Sequence, residues 1–445
     1  MGSFVPNTKE EREQMLREAG YKSFDDMFSV IPEEVRLKKP LDLPSGLSEM
    51  EALKVMEDLA AENKVYREIF RGAGSYDHYI PAIVKSVTSK EEFLTAYTPY
   101  QAEISQGILQ SIFEFQTMVC ELTGMDVANA SHYDGATAAA ESIPMCRDRK
   151  HKTAYVSATT DPKVLEVMGT YCFGSNTKLV TVGEADGLTD MEDLKKLMAE
   201  DPEAACFYVE SPNYYGNLED VEAMAEIVHA QGAKLVLGID PIAQAVIKTP
   251  RELGADIAVG DGQPLGMPIA FGGPYVGIMA TTTDMMRKLP GRIVGETKDH
   301  DGNRAYVLTL QAREQHIRRE KASSNICSNQ DLCALTASVY MAAMGPDGMK
   351  EVAEQTMAKA HFLRDELVKA GLTQKNCKGE FFNEFVTDCP MGAEALMAAL
   401  DEKGILGGLP LDGDTILWCA TEVNSRSAME EVADTVQSLM KGKEA

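Results

Sequence analysis

A chain of 445 residues can build one large α/β domain and a smaller one. Its formal net charge of −26 argues against nucleic acid or an anionic membrane as a general partner, and an acidic solubilising surface accounts for it. No apolar run approaches the roughly 20 residues that a membrane-spanning helix needs.

Residues 1–75 read as an N-terminal helical arm. Helical periodicity covers 8–19 and 48–70, and between them Pro40 and Pro44 keep 37–46 extended, because proline disfavours helix at the residue before it. Such an arm either wraps a neighbouring subunit or covers its own domain. Next, Tyr97-Thr98-Pro99-Tyr100-Gln101 opens a polar, aromatic loop that precedes a helix over 108–122. Its hydroxyls and carboxamide suit an oriented polar pocket, and equally a tyrosine-rich packing loop.

From 152 to 280 strands and helices alternate. The strands fall at 153–157, 178–182, 205–210, 234–240 and 254–260, with helices such as 191–199 and 220–231 between them. That pattern predicts a mixed, mostly parallel sheet with helices on both faces, and a ligand site at the carboxyl ends of the strands. Ahead of it, the stretch 129–140 holds Asp134-Gly135-Ala136-Thr137 before an alanine-rich helix. Backbone N–H groups at a helix start favour a phosphate. Asp134 opposes a dianion there, and reads equally well as a simple N-cap.

Strand 234–240 delivers Asp240 at its carboxyl end, and strand 254–260 is followed by Asp261-Gly262-Gln263-Pro264. This layout is similar to that of pyridoxal-phosphate enzymes of the aminotransferase fold, fold type I. There the first carboxylate pairs with the pyridine nitrogen, and a lysine just past the next strand forms the Schiff base. Here that position is Gln263 or Pro264, and no lysine lies between Thr249 and Arg287. Neither side chain can form an imine, so the chain is expected not to hold the cofactor covalently.

Residues 293–311 predict a hairpin turning at Asp299-His300-Asp301-Gly302-Asn303, a string explained by turn chemistry since the later carboxylates of a calcium loop are missing. The stretch 313–327 gathers Arg313, Arg318, Arg319 and Lys321 ahead of Ser323-Ser324-Asn325. It suits a phosphate or carboxylate, or else an acid–base patterned helix ending in a serine cap. The remainder predicts a small α+β domain over 331–445, with Trp418 in its core, behind a large domain over 76–330. The nine cysteines are scattered without a Cys-x-x-Cys pair, and no secretory signal precedes them. They are expected to be reduced thiols in a cytoplasmic protein.

Four stretches carry a resemblance: Tyr76-Asp77-His78-Tyr79; residues 97–107; Met125-Asp126-Val127-Ala128-Asn129-Ala130-Ser131 with Tyr133-Asp134-Gly135-Ala136-Thr137; and residues 311–322 with Ser324-Asn325-Ile326-Cys327. Through them the chain resembles the glycine dehydrogenase (decarboxylating) family, the P-proteins of the glycine cleavage system, and within it the alpha chains (subunit 1) of the two-subunit form. The resemblance implies decarboxylation of glycine and transfer of the aminomethyl group to the lipoyl arm of H-protein. It implies pyridoxal 5'-phosphate held covalently by a beta subunit (subunit 2) and not by this chain, in an assembly of two alpha and two beta chains. It also implies that Tyr97, Thr98, Tyr100 and Gln101 approach the partner's substrate pocket, and that Ser323, Ser324 and Asn325 approach its cofactor phosphate. No metal site is expected.

Three rival readings differ in what they require. A self-sufficient pyridoxal-phosphate enzyme needs a lysine near Gln263, and a nucleotide-binding α/β protein needs a Gly-x-Gly-x-x-Gly or Walker loop that the sequence lacks. A non-catalytic scaffold or regulatory paralogue leaves the loops at 97–101 and 323–325 without a task.

Overall fold

In the computed structural model, which describes residues 5–39, 41–310, 315–375 and 379–444, the apolar runs become the strands of one sheet. Within these residues the sheet has seven strands, in the order Val127–Ala128, Gly277–Thr281, Ile257–Asp261, Lys234–Ile239, Ala204–Glu210, Thr153–Ser157, Lys178–Val182. The pairings from Ile257–Asp261 onward are parallel, while Gly277–Thr281 runs antiparallel to both its neighbours. Helices cover both faces, so inner strands are buried on both sides and read as unbroken apolar runs. Every residue of Thr153–Ser157 is buried.

A second sheet, antiparallel, joins Glu384–Asp388 to Gln374–Lys375 and Thr415–Cys419, with Leu409–Pro410 at its far edge. Trp418 is fully buried in its core and donates its indole N–H to Thr387 Oγ1 at 2.9 Å. The helix Asp331–Lys369 leads into this part and breaks at Gly345, whose φ of 62° and ψ of 178° lie outside helical space just before Pro346. The hairpin forms as Ile293–Lys298 with Arg304–Thr309, turning on Asp299.

Met1–Val65 and Tyr66–Ala445 are separate compact units. In the first, Thr8 and Glu11 form a capping box for Lys9–Glu18, and Ser48 and Glu51 do the same for Glu49–Ala61. The second of these helices stops at Ala61, well short of the expected 70. Chain that keeps helical apolar spacing becomes extended instead at 68–70, because its backbone finds partners at 405–406, far along the same compact unit. Glu68–Ile69 pairs in parallel with Ile405–Leu406, and Phe70, fully buried, donates its N–H to the Leu406 carbonyl at 2.8 Å. Tertiary pairing overrides local periodicity here. No helix among the described residues is long and apolar enough to cross a membrane.

Candidate functional site

The carboxyl ends of the parallel strands open onto a cleft of about 470 Å³, the place where open α/β sheets bind ligands. Among the described residues six carboxyl groups line it, Asp134, Asp161, Glu210, Asp240, Asp261 and Glu384, against Lys163 as the one cation. Burial pushes Glu210, Asp261 and Glu384 each up to about 7. Their oxygens are already engaged. Glu384 accepts from Ala73 N–H at 2.7 Å and Tyr76 O–H at 2.8 Å, and Glu210 accepts from Tyr208 O–H and Asp161 N–H, each at 2.9 Å.

Pyridoxal phosphate needs an amine, an anion cradle and a ring partner. At the amine position the buried Gln263 uses its whole carboxamide on the backbone. Its Oε1 accepts from Tyr76 N–H at 2.9 Å, and its Nε2 donates to the carbonyls of Tyr76 and Met267, both at 2.8 Å. At the cradle, two of the first three N–H groups of helix Gly135–Cys146 are taken by carboxylates of this same chain. Gly135 N–H donates to Asp261 Oδ2 at 2.9 Å and Thr137 N–H to Asp134 Oδ1 at 2.8 Å. A Cβ on Gly135 would sit 2.7 Å from the Asp261 nitrogen, so glycine is required by the close approach itself. Asp134 is thus an N-cap, and a phosphate brought here meets two carboxylates. The ring partner alone persists: Asp240 Oδ1 accepts from Ile242 and Ala243 N–H at 2.8 and 3.1 Å, while Oδ2 is buried without a partner. Burial raises its pKa. The cleft does not fit the cofactor.

The two candidate loops lie elsewhere, and the structure brings them together at one point. Tyr100 O–H stands 3.5 Å from Cys327 Sγ. The link is Arg292, which is 2 % exposed. Its Nη2 donates to Tyr100 Oη at 2.9 Å, its Nη1 donates to Asn329 Oδ1 at 3.3 Å, and its guanidinium lies 4.8 Å from the Tyr100 ring centroid. Asn329 Nδ2 in turn donates to Ser131 Oγ at 2.7 Å. Thr98 is half-buried, Gln101 is exposed, and Tyr97 is 85 % exposed, a costly placement for an aromatic ring with nothing to cover it.

Ser323 and Asn325 are exposed and Ser324 is half-buried. Ser324 O–H donates to Glu141 Oε1 at 2.7 Å, and the Asn325 side chain bonds Tyr171. Beside them Arg287, Lys288, Arg318 and Lys321 border a cleft of about 270 Å³ with Ser323 and Glu141. Of the basic stretch, 315–318 forms one helical turn and 319–321 a 3₁₀ turn. Residues 311–314, which include Arg313, lie outside the described residues. Sequence reasoning missed Arg292, Glu141 and the reach of Asp261. Only the Pro290-Gly291-Arg292 step, an isolated charge entering an apolar strand, marks one of them. Among the described residues no cluster of His, Cys, Asp and Glu could hold a metal ion.

A family model described as the glycine cleavage system P-protein matches residues 2–436. A probable glycine dehydrogenase (decarboxylating) subunit 1 of Carboxydothermus hydrogenoformans is 46 % identical over 443 residues, which is 97 % of this chain and 99 % of its own. Its counterpart in Moorella thermoacetica is 44 % identical over 98 % of this chain and all of its own. A solved glycine decarboxylase (P-protein) of the glycine cleavage system, in inhibitor-bound form, aligns with a TM-score of 0.91 at 41 % identity, over 98 % of this chain and 100 % of that chain. An alanine–glyoxylate aminotransferase from Nostoc sp. has a TM-score of 0.59 at 14 % identity, over 93 % of this chain and all of its own, and shares the fold alone.

Proposed function

Since the chain belongs to the glycine cleavage system P-protein family, we propose that it acts as subunit 1 of a glycine dehydrogenase (decarboxylating). It acts with a subunit 2 that carries pyridoxal phosphate on its own lysine, in an assembly of two chains of each kind. Full-length similarity to chains named as enzyme subunits disfavours the scaffold reading.

The observation that carries this division of labour is the Gln263 carboxamide, spent on three backbone hydrogen bonds where the fold wants an amine. The cofactor chemistry therefore belongs to the partner, and this chain supplies orientation and electrostatics. Tyr97, Thr98, Tyr100 and Gln101 face the partner's substrate pocket. There Arg292, donating to Tyr100 Oη, fixes the position of the phenol. Ser323, Ser324 and Asn325 face the partner's cofactor phosphate. The lipoyl arm of H-protein receives the aminomethyl group, and cysteines scattered without a Cys-x-x-Cys pair support a cytoplasmic assembly.

The test is reconstitution. The purified chain alone should show no visible cofactor band and no exchange of labelled CO₂ into glycine, and mixing with subunit 2 should give both. A chain that is yellow by itself, fixes the cofactor on borohydride treatment and exchanges CO₂ unaided would overturn the assignment.

A further inference from the structure

Ser324 is not free to serve an oxyanion as it stands. Its hydroxyl accepts from Ile326 N–H at 3.0 Å and donates to Glu141 Oε1 at 2.7 Å. A hydroxyl has one proton and two lone pairs, so with the proton directed inward only a lone pair is left to face outward. A lone pair repels a phosphate oxygen. Glu141 sits on helix Gly135–Cys146, is 3 % exposed, and among the described residues has Ser324 as the hydrogen-bond partner of its side chain.

We propose that Glu141 is a positioning residue that sets the direction of the Ser324 proton. This rests on the reading that the loop 323–325 faces the partner's cofactor phosphate, and it adds the group that controls that contact. With Glu141 ionised, Ser324 donates inward and offers the phosphate no proton. With Glu141 protonated, the carboxylic acid donates to the second lone pair of Ser324, Ile326 N–H keeps the first, and the hydroxyl proton turns outward. The two states differ by one proton on Glu141 and need no movement of the backbone.

Burial is the main cause that pushes Glu141 up to about 7, with the Ser324 hydrogen bond opposing it. Both states are therefore reached near neutral pH. Other charged groups face the same space. Arg287 and Lys288 come from the turn Thr283–Lys288, and Arg318 and Lys321 from the segment before Ser323. Arg319 and Glu320 border a further cleft that Glu141, Ser323 and Ser324 also line. Tyr171 of helix Pro162–Gly174 is there too, and burial and then the Glu141 charge push it up to about 12.

The experiment uses the assembled enzyme and reads the dissociation constant of pyridoxal phosphate from its visible absorbance, at about pH 6 and about pH 8.5. The cofactor's own phosphate ionises near pH 6, an effect shared by all variants that cancels in ratios to wild type. Glu141→Gln keeps the shape and can donate to Ser324 at every pH. It should bind the cofactor like wild type at the lower pH and about tenfold tighter at the higher one, the worth of one hydrogen bond to a charged group. Ser324→Ala should bind weakly at both, and adding Glu141→Gln to it should change nothing. If Glu141→Gln does not assemble, Ser324→Thr takes its place: it must keep the pH-dependent component that Ser324→Ala loses. Should Ser324→Ala match wild type throughout, the loop does not face the phosphate and that reading falls. Should Ser324→Ala weaken binding while Glu141→Gln keeps the wild-type pH dependence, the role of Glu141 alone is overturned.

Discussion

Arg292 donates to the hydroxyl of Tyr100 at 2.9 Å and lies against the face of the same ring at 4.8 Å. One buried guanidinium thus fixes the position of a half-exposed phenol from two directions. Replacing Arg292 with Met should lower the unfolding free energy by about 2–4 kcal/mol, the usual cost of removing a buried, multiply bonded charge. Arg292→Lys should not restore it, since an ammonium cannot span Tyr100 and Asn329 in one plane. Chemical denaturation of the isolated chain measures the loss, and CO₂ exchange in the reconstituted pair should fall with it. A Lys variant as stable and active as wild type would contradict the bidentate role.

Restoring the lysine should not restore the cofactor site. In Gln263→Lys, three backbone hydrogen bonds to Tyr76 and Met267 are lost and an amine enters a buried position. The expected cost is about 2–4 kcal/mol. The cradle remains filled by Asp261 and Asp134, so borohydride treatment of the variant with pyridoxal phosphate should leave no fixed chromophore at that residue. Peptide mapping decides it.

What the sequence disclosed and what it hid divide along contact distance. Thr153–Ser157 and Lys234–Ile239 were legible because burial on both faces demands an unbroken apolar run. The Asp134 cap was legible because its partner is Thr137, three residues on. The contacts that give the site its character are 126 residues apart for Gly135 and Asp261, 183 for Glu141 and Ser324, and 192 for Tyr100 and Arg292. No local pattern encodes such a pair. The helical reading of 62–70 failed for a related reason. Apolar spacing records which side of a segment is buried, while the strand partner Ile405–Leu406 lies more than three hundred residues away.

The acidic cleft should make stability fall with rising pH. Glu210, Asp261 and Glu384 are pushed up to about 7 in the folded chain, above the ordinary carboxyl range of about 4 in the unfolded one. Between these values the folded state binds more protons, so each group stabilises the fold below its unfolded pKa. That contribution is lost as pH rises towards 7, and the curve then levels. Glu422 acts oppositely: burial raises its pKa, but the hydrogen bond and charge of His78 and the Tyr79 N–H together outweigh that and hold it low, so its contribution is lost on acidification. Denaturation midpoints at about pH 5 and about pH 8 should differ by an amount that Asp261→Asn or Glu384→Gln reduces. An unchanged difference in both variants would place the pH dependence elsewhere.

Tyr97 and Gln101 offer a separation of folding from function. Both are exposed, so Tyr97→Phe and Gln101→Ala should leave the unfolding free energy of the isolated chain within about 0.5 kcal/mol of wild type. In the reconstituted pair, a hydroxyl or carboxamide that orients a substrate carboxylate contributes about 1–3 kcal/mol through a charge-assisted hydrogen bond. Exchange should then drop by roughly tenfold or more. Assembly, followed by sedimentation, should persist in both variants. Full exchange in both variants at normal stability would remove these two side chains from the partner's pocket. Loss of assembly with loss of exchange would instead assign them to the interface itself.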